Sequence, residues 1–421
     1  MQLPQPFIRL ALTVDADRLR SEIGQFGPAE WRDHPQGHPG NSALPLVARR
    51  GQSQDDGVAG PMGATPHLAR CPYVRQVLAA LGAPIGRSRL MRLDSGAEAT
   101  AHVDTNYYWS QRVRVHIPVV TTPGVRFLCG NAQTQMAPGE VWIFDTWRPH
   151  NVLNPPGVER IHLVIDTVGS DAFWGLARDP ATAATPVPYV PGHEPPLTLE
   201  TVNFPVVMSP YEFGAIWSGW RAEAAGADAG GTSAIDDAVR RIQLDWRANW
   251  AAHGDAPEGW PGYAVLIRKL RDIGARYAGK VRLPNGQDLA RLIVSSLVPA
   301  LHTPDLADGS PSASSVPDLG QVKSADGTAA PVLPAAAPAR TAARPSIARP
   351  LIIVCAPRSG STLLFERLSA CSPDWYTVGH ESHVQFEGIS ALNPARRGFD
   401  SNALAAAEAT PEVAADRKSV V

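Results

Sequence analysis

The sequence predicts a multi-domain chain: a β jelly roll over residues 1–195, a helical appendage over 196–302, a disordered linker over 303–349, and a partial α/β module over 350–421. Three observations predict this. Short apolar runs broken by Gly/Pro turns fill the first part, apolar residues at helical spacing fill the second, and a strand–loop–helix pattern opens at Leu351 after a Pro/Ala-rich stretch.

In the first part the runs are SRLMRL, RVHIPVV, VRFLCG, EVWIFD and RIHLVIDTV, punctuated by Gly96, Pro123-Gly124, Pro138-Gly139 and Pro155-Pro156-Gly157. No long helical pattern separates them, which favours a sandwich or jelly roll over a parallel sheet. Helical pieces precede the strands, around Ala16–Phe26 and Tyr73–Leu81. In the second part, Ile235, Ala238, Val239, Ile242, Trp246 and Trp250, then Val265, Leu266, Leu270, Ile273 and Tyr277, recur at helical spacing. Asp288–Leu301 reads as a third helix. The region is either attached to the β part or an independent bundle. Its tryptophans (Trp217, Trp220, Trp246, Trp250) read as core, since large aromatics dominate packing area. Residues 303–349 hold few large apolar side chains and cannot offset the entropy of ordering.

With 421 residues, 44% of them hydrophobic, the chain can bury a sizeable core. A formal net charge of −2 argues against a dedicated nucleic-acid binder. Cys71, Cys129, Cys355 and Cys371 lack CxxC spacing and read as reduced thiols of a cytoplasmic protein. No apolar run approaches the roughly 18–20 residues of a membrane span, and the first residues do not read as a signal peptide.

The chemistry concentrates at His102-Val103-Asp104, with His150 downstream and Arg160 ten residues beyond it. Two imidazoles and one carboxylate are the donors that hold ferrous iron on one face, leaving other positions open. Period-two alternation puts residues 102 and 104 on one side of a strand. If the metal works with 2-oxoglutarate, the far carboxylate of that cosubstrate needs a bidentate cation, and Arg has the matching fork. In the strand 160–168, Arg160, His162, Val164 and Asp166 share one face, which fits a pocket and equally fits solvent. Arg112, Arg114 and His116 likewise share a face, either as a wet strand surface or as contacts to an anion. Asp145 reads as support for the turn before His150. Asn106, Tyr107, Tyr108 and Trp109 either line a substrate pocket or form a rigid loop. His34, His38 and His67 read as solvated loop residues.

Residues 88–168 resemble the aspartyl/asparaginyl β-hydroxylase family of iron(II)- and 2-oxoglutarate-dependent dioxygenases, a cupin-like, double-stranded β-helix fold. The carriers are RLMRLDSGAEATAHVD, RVRVHIPV, MAPGEVWIFDTWRPHNVLN and ERIHLVIDTV. The resemblance implies that His102 and His150 bind the metal. It also implies that Arg160 holds the far carboxylate of 2-oxoglutarate, with Arg114 and His116 at its other end. Asp104 departs from the animal aspartyl hydroxylases, which lack the acidic ligand, and is similar to the bacterial proline hydroxylases. The reaction implied is hydroxylation of an amino-acid or peptidyl side chain; a small molecule, a peptide or a carrier-bound intermediate all fit as substrate.

A second motif lies at Pro357-Arg358-Ser359-Gly360-Ser361-Thr362-Leu363-Leu364. A Ser/Thr/Gly loop at a helix start cradles phosphate through backbone N–H groups. It lacks the GK[ST] ending and resembles the 5′-phosphosulfate loop of sulfotransferases. The resemblance implies that Arg358, Ser359, Gly360, Ser361 and Thr362 contact 3′-phosphoadenylyl sulfate, with His380-Glu381 as an acid/base pair. The chain ends before that family's 3′-phosphate motif, so residues 350–421 read as a truncated module. The rival function is therefore sulfate transfer, with the β domain recognising the substrate.

Overall fold

A computed structural model describes residues 1–33, 39–178, 183–226 and 229–306. The expectations for His34, His38, the linker from 307 onward and the whole phosphosulfate-type loop lie outside the described residues.

The larger sheet of the β part is built from β1 (Phe7–Val14), β2 (Arg32–Asp33), β3 (Asn41–Arg49), β4 (Met62–Ala64) and β5 (Ile85–Leu93). It is completed by four later strands. The smaller sheet holds β6 (Glu98–His102). Then β7 (Val113–Val120) returns to the larger sheet, and β8 (Arg126–Cys129) and β9 (Ala132–Thr134) to the smaller. Finally β10 (Glu140–Phe144), β12 (Arg160–Thr167) and β13 (Thr185–Val187) join the larger sheet, and β11 (His150–Leu153) the smaller. The larger sheet runs β13-β1-β10-β7-β12-β5-β3-β2, with β4 paired to β3, and the smaller runs β6-β11-β8-β9. Every pairing is antiparallel except β1 with β13. This is the jelly-roll-like architecture that the run-and-turn pattern predicts.

The alternation of the central strands sorts their side chains. Val113, Val115, Ile117 and Val119 of β7, and Ile161, Leu163 and Ile165 of β12, enter one apolar core. That core also contains Leu19 and Ile23 of α1 (Ala16–Ile23). Beside the short α2 (Pro66–Ala69), α3 (Pro72–Ala80) adds Tyr73, Val74 and Val77. The α4 helix (Asp171–Arg178) adds Phe173. The other face of these strands carries Arg114, His116, Arg160, His162 and Asp166. A second apolar cluster lies there, formed by Leu93, Phe127, Cys129, Phe144 and Val152 from both sheets. All eight residues of β12 are buried. A polar strand face thus lies in the interior, between the two sheets.

The helical region consists of α5 (Pro210–Ala225), α6 (Ala229–His253), α7 (Trp260–Tyr277), α8 (Leu289–Leu292) and α9 (Val298–Leu301), the last two joined by a π-helical turn over 293–297. Ser209 caps α5 by accepting from the Glu212 N–H, and Pro210 follows at the first helical position. Trp217 and Trp246 are core, as the spacing predicts. The region shares an apolar cluster with the β part, as an appendage to it would. Its core includes Val58, Tyr107, Tyr108 and Trp109 of the β part, and the three aromatics bring large apolar area to it.

Residues 303–306, beyond the expected boundary at 302, are joined to the helical region. The Thr303 N–H donates to the Val206 carbonyl at 2.8 Å, the Thr303 hydroxyl donates to Pro205, and Pro304–Leu306 form a 3₁₀ turn. His67 is also not solvated. It lies in α2, with Nδ1 2.9 Å from the Pro45 carbonyl and its ring edge-on to Phe26.

Candidate metal centre

The two histidines of the motif are cross-strand partners: His102 ends β6, His150 opens β11, and they are in register. Their rings lie 4.2 Å apart, centroid to centroid, at 60°. Asp104 follows two residues after His102, tied down by its N–H to the Thr146 carbonyl at 3.0 Å. One Asp104 oxygen is 3.9 Å from His102 Nε2. Ligand atoms of His102, Asp104 and His150 all lie within 4.8 Å of one another.

The tautomers follow from the backbone. His102 Nδ1 is 2.6 Å from the Thr100 carbonyl, and His150 Nδ1 is 2.9 Å from the Arg148 carbonyl. A carbonyl only accepts, so each Nδ1 carries a proton. His150 Nε2 is buried with no hydrogen-bond partner in the protein. Burial, then the neighbouring His102, pushes this imidazole well below 6.5, so it is held neutral. Two imidazoles whose Nδ1 atoms are held by carbonyls, His150 being neutral with a bare Nε2, stand beside a carboxylate and make a donor set that suits a divalent transition metal. The residues therefore fit iron(II).

Around this cluster the predicted anion contacts separate into two groups. Arg114 lies beside Asp104, with Nη1 3.3 Å from its second oxygen and Nε 3.3 Å from Asp166. Its guanidinium stacks over Trp109 at 4.0 Å. Arg112 is taken by Glu200 at 2.8 Å. His116 stands with Arg160 and His162 instead. Arg160 Nη2 is 2.7 Å from His162 Nδ1, and His116 Nδ1 is 3.4 Å from the same atom. Phe144 packs edge-on against both His116 and His150, which places His116 between the arginine and the metal cluster. Arg160 is buried, and among the described residues no carboxylate pairs with it; burial pulls its guanidinium down to about 9. His162 was grouped with Arg160 on one strand face but given no role. The signal was present, since residues i and i+2 of a strand are neighbours.

Both loops that carry ligands are gripped from the helical region. Tyr107, in the 3₁₀ turn after Asp104, donates its hydroxyl to Glu212 at 2.5 Å. Trp147, just before His150, donates to Glu223 at 2.9 Å and stacks on Trp220. Asn285 donates to the Trp147 carbonyl at 3.1 Å. Residues 106–109 are thus buried, with Tyr107 tied to the helical region. Asp145 supports the turn as read, accepting from the N–H groups of Leu3 and Trp147 and from Arg148.

No helix of the described residues is long and apolar enough to cross a membrane. The sulfotransferase reading of residues 350–421 rests on its motif alone and is not carried further.

No curated protein matches the chain. Among solved structures it is similar to a prolyl-4-hydroxylase from Pseudomonas putida, at 17% identity over 39% of this chain and 92% of that one, with a TM-score of 0.28. It is similar to HygX from Streptomyces hygroscopicus, a structure with nickel and 2-oxoglutarate bound, at 12% identity over 39% of this chain and 83% of that one, TM-score 0.28. It is also similar to a prolyl hydroxylase from Trichoplax adhaerens in complex with a peptide fragment of hypoxia inducible factor, at 9% identity over 41% and 87%, TM-score 0.29. Residues 59–169, which contain His102, Asp104, Arg114, His116, His150, Arg160 and His162, match the family model described as aspartyl/asparaginyl beta-hydroxylase. Residues 59–169 of this chain therefore form a domain that matches that hydroxylase family.

Proposed function

We propose that this protein hydroxylates an amino-acid or peptidyl side chain, with iron(II) held by His102, Asp104 and His150 and 2-oxoglutarate anchored by Arg160. The observation that carries the reading is the pair of imidazoles, each held at Nδ1 by a backbone carbonyl, beside the Asp104 carboxylate, with ligand atoms of all three within 4.8 Å of one another. When bound, iron(II) supplies oxygen activation coupled to decarboxylation of 2-oxoglutarate.

The chain's own residues do the rest. Thr100 and Arg148 carbonyls orient the two imidazoles. Arg114 lies against Asp104 and is itself held by Asp166, so the carboxylate is aimed. In this reading Arg114 acts on Asp104, while His116 and Arg160 line the cosubstrate end. Arg160 Nε has no partner in the protein, and a carboxylate would satisfy it. Phe127 and Phe144 exclude water around His116. The substrate range remains an amino acid, a peptide or a carrier-bound side chain.

The test is succinate release by iron-loaded protein, alone and with a panel of free amino acids and short peptides. Iron-dependent turnover of 2-oxoglutarate, increased by one class of substrate, is the expected result. Absence of both turnover and 2-oxoglutarate binding would reject the reading.

A further inference from the structure

The Arg160–His162–His116 cluster contains a hydrogen-bond order that the proposed cosubstrate site does not by itself explain. Arg160 only donates, so the 2.7 Å contact from its Nη2 makes His162 Nδ1 an acceptor. The single proton of His162 is therefore on Nε2. The His116 contact at 3.4 Å ends on the same Nδ1, so His116 must donate from its own Nδ1. One lone pair thus serves two donors, the shorter contact being that of Arg160.

This order requires His162 to be neutral. The surroundings agree: it is buried, it touches the Arg160 cation, and its other neighbour is His116. Val164, Pro118 and Met91 face it from the same and adjacent strands and bring no carboxylate. A buried guanidinium swings about its last bonds unless one nitrogen is fixed. Here Nη2 is fixed and Nε is left without a partner.

We propose that His162 is a positioning residue for 2-oxoglutarate: its unprotonated Nδ1 fixes the Arg160 guanidinium so that the remaining N–H groups meet the cosubstrate carboxylate. This rests on the reading of Arg160 as the carboxylate anchor. His162 acts through Arg160 and makes no contribution to the metal.

Two measurements test it. The first is titration calorimetry of 2-oxoglutarate on cobalt(II)-loaded protein. His162→Leu keeps the volume but removes the acceptor, and it should weaken binding tenfold or more while cobalt affinity stays within twofold. His162→Asn places an oxygen near the position of Nδ1 and should restore binding to within threefold of wild type. In the Arg160→Lys background, His162→Leu should add less than a twofold change, because the group it positions is gone. A His162→Leu effect that persists undiminished in that background overturns the inference, as does unchanged binding in His162→Leu. If Arg160→Lys itself leaves binding unchanged, the anchor reading fails instead, and the two failures are told apart. The second measurement needs no altered core. Long-range proton–nitrogen correlation spectra of histidine-labelled wild type, with His162→Asn for assignment, should show His162 protonated at Nε2. A proton at Nδ1 overturns the inference even if His162→Leu does not fold.

Discussion

Replacing Arg160 with Met separates a structural arginine from one kept for a ligand. The guanidinium is buried, and burial alone draws it from 12.5 to about 9. That difference corresponds to about 5 kcal/mol of uncompensated desolvation, at about 1.4 kcal/mol per unit. Arg160→Met removes this penalty. Against it stand a small cavity, about 1–2 kcal/mol, and a His162 Nδ1 left without its donor, about 1–3 kcal/mol. The variant should therefore be as stable as wild type, or more stable by up to about 3 kcal/mol. Ligand linkage runs the other way. At a hundredfold excess over its dissociation constant, 2-oxoglutarate should stabilise cobalt-loaded wild type by about 2.7 kcal/mol and the variant not at all. Urea unfolding with and without 2-oxoglutarate reads both quantities. A loss of 3 kcal/mol or more in ligand-free Arg160→Met would show that the arginine is satisfied by the fold. An undiminished 2-oxoglutarate effect would place the carboxylate site elsewhere.

Asp104→Ala should lower iron affinity at least tenfold and nearly abolish 2-oxoglutarate turnover; unchanged iron content and activity would leave a site of two histidines only. Metal-free protein should lose stability as the pH falls below about 6.5, because the unfolded chain protonates His116 and His162 there. The folded protein holds both well below that value, through burial and then the Arg160 charge. Each contributes a slope of about 1.4 kcal/mol per pH unit, fully lost only where both states are protonated, and the buried His150 adds its own; urea unfolding should show a shallower slope in His162→Asn, and an equal slope would refute the assignment. Gly86→Ala would put a Cβ 2.6 Å from the Tyr108 hydroxyl and 2.9 Å from the Asp166 carbonyl. It should cost about 1–3 kcal/mol and weaken metal binding through Asp166 and Arg114, which calorimetry with cobalt(II) would detect. A chain ending at Leu306 should keep the melting temperature and turnover of the full chain, whereas one ending at Leu301 should melt lower, since it loses the Thr303 contacts.

Strands with clean alternation were legible, and β3, which lacks it, was not. The runs 88–93, 114–120, 140–145 and 160–168 all fall in strands of the larger sheet or its turns. The β3 strand, NSALPLVAR, is buried at all nine positions and holds Pro45 just before a register shift. Without alternation, and with a proline inside, it gives no period-two signal. The α5 helix was missed for a different reason. Gly214 and Gly219 interrupt it and its apolar residues are spread around the axis, although the Ser209-Pro210 start was readable. The burial of Arg160 was not legible at all. A polar strand face reads identically whether it meets water or the inner face of a second sheet, and only the fold decides between them.

The chemistry was legible where donors are close in sequence or recur as a motif, and illegible where a role depends on a distant partner. Arg112, Arg114 and His116 look equivalent along β7, yet Glu200 takes the first, Asp104 and Asp166 the second, and His162 the third. The same dependence applies to the ligand loops. Residues 59–169 contain every proposed ligand. Even so, β1 and β3 of the same sheet precede this segment, and Glu212, Glu223 and Asn285 follow it. Asp104 and His150 lie on loops whose neighbours Tyr107 and Trp147 bond to those helical residues. A metal site needs its donors held within a fraction of an ångström. If His102, Asp104 and His150 hold iron as proposed, the helical region supplies contacts that aim them, and the matched segment alone lacks those contacts.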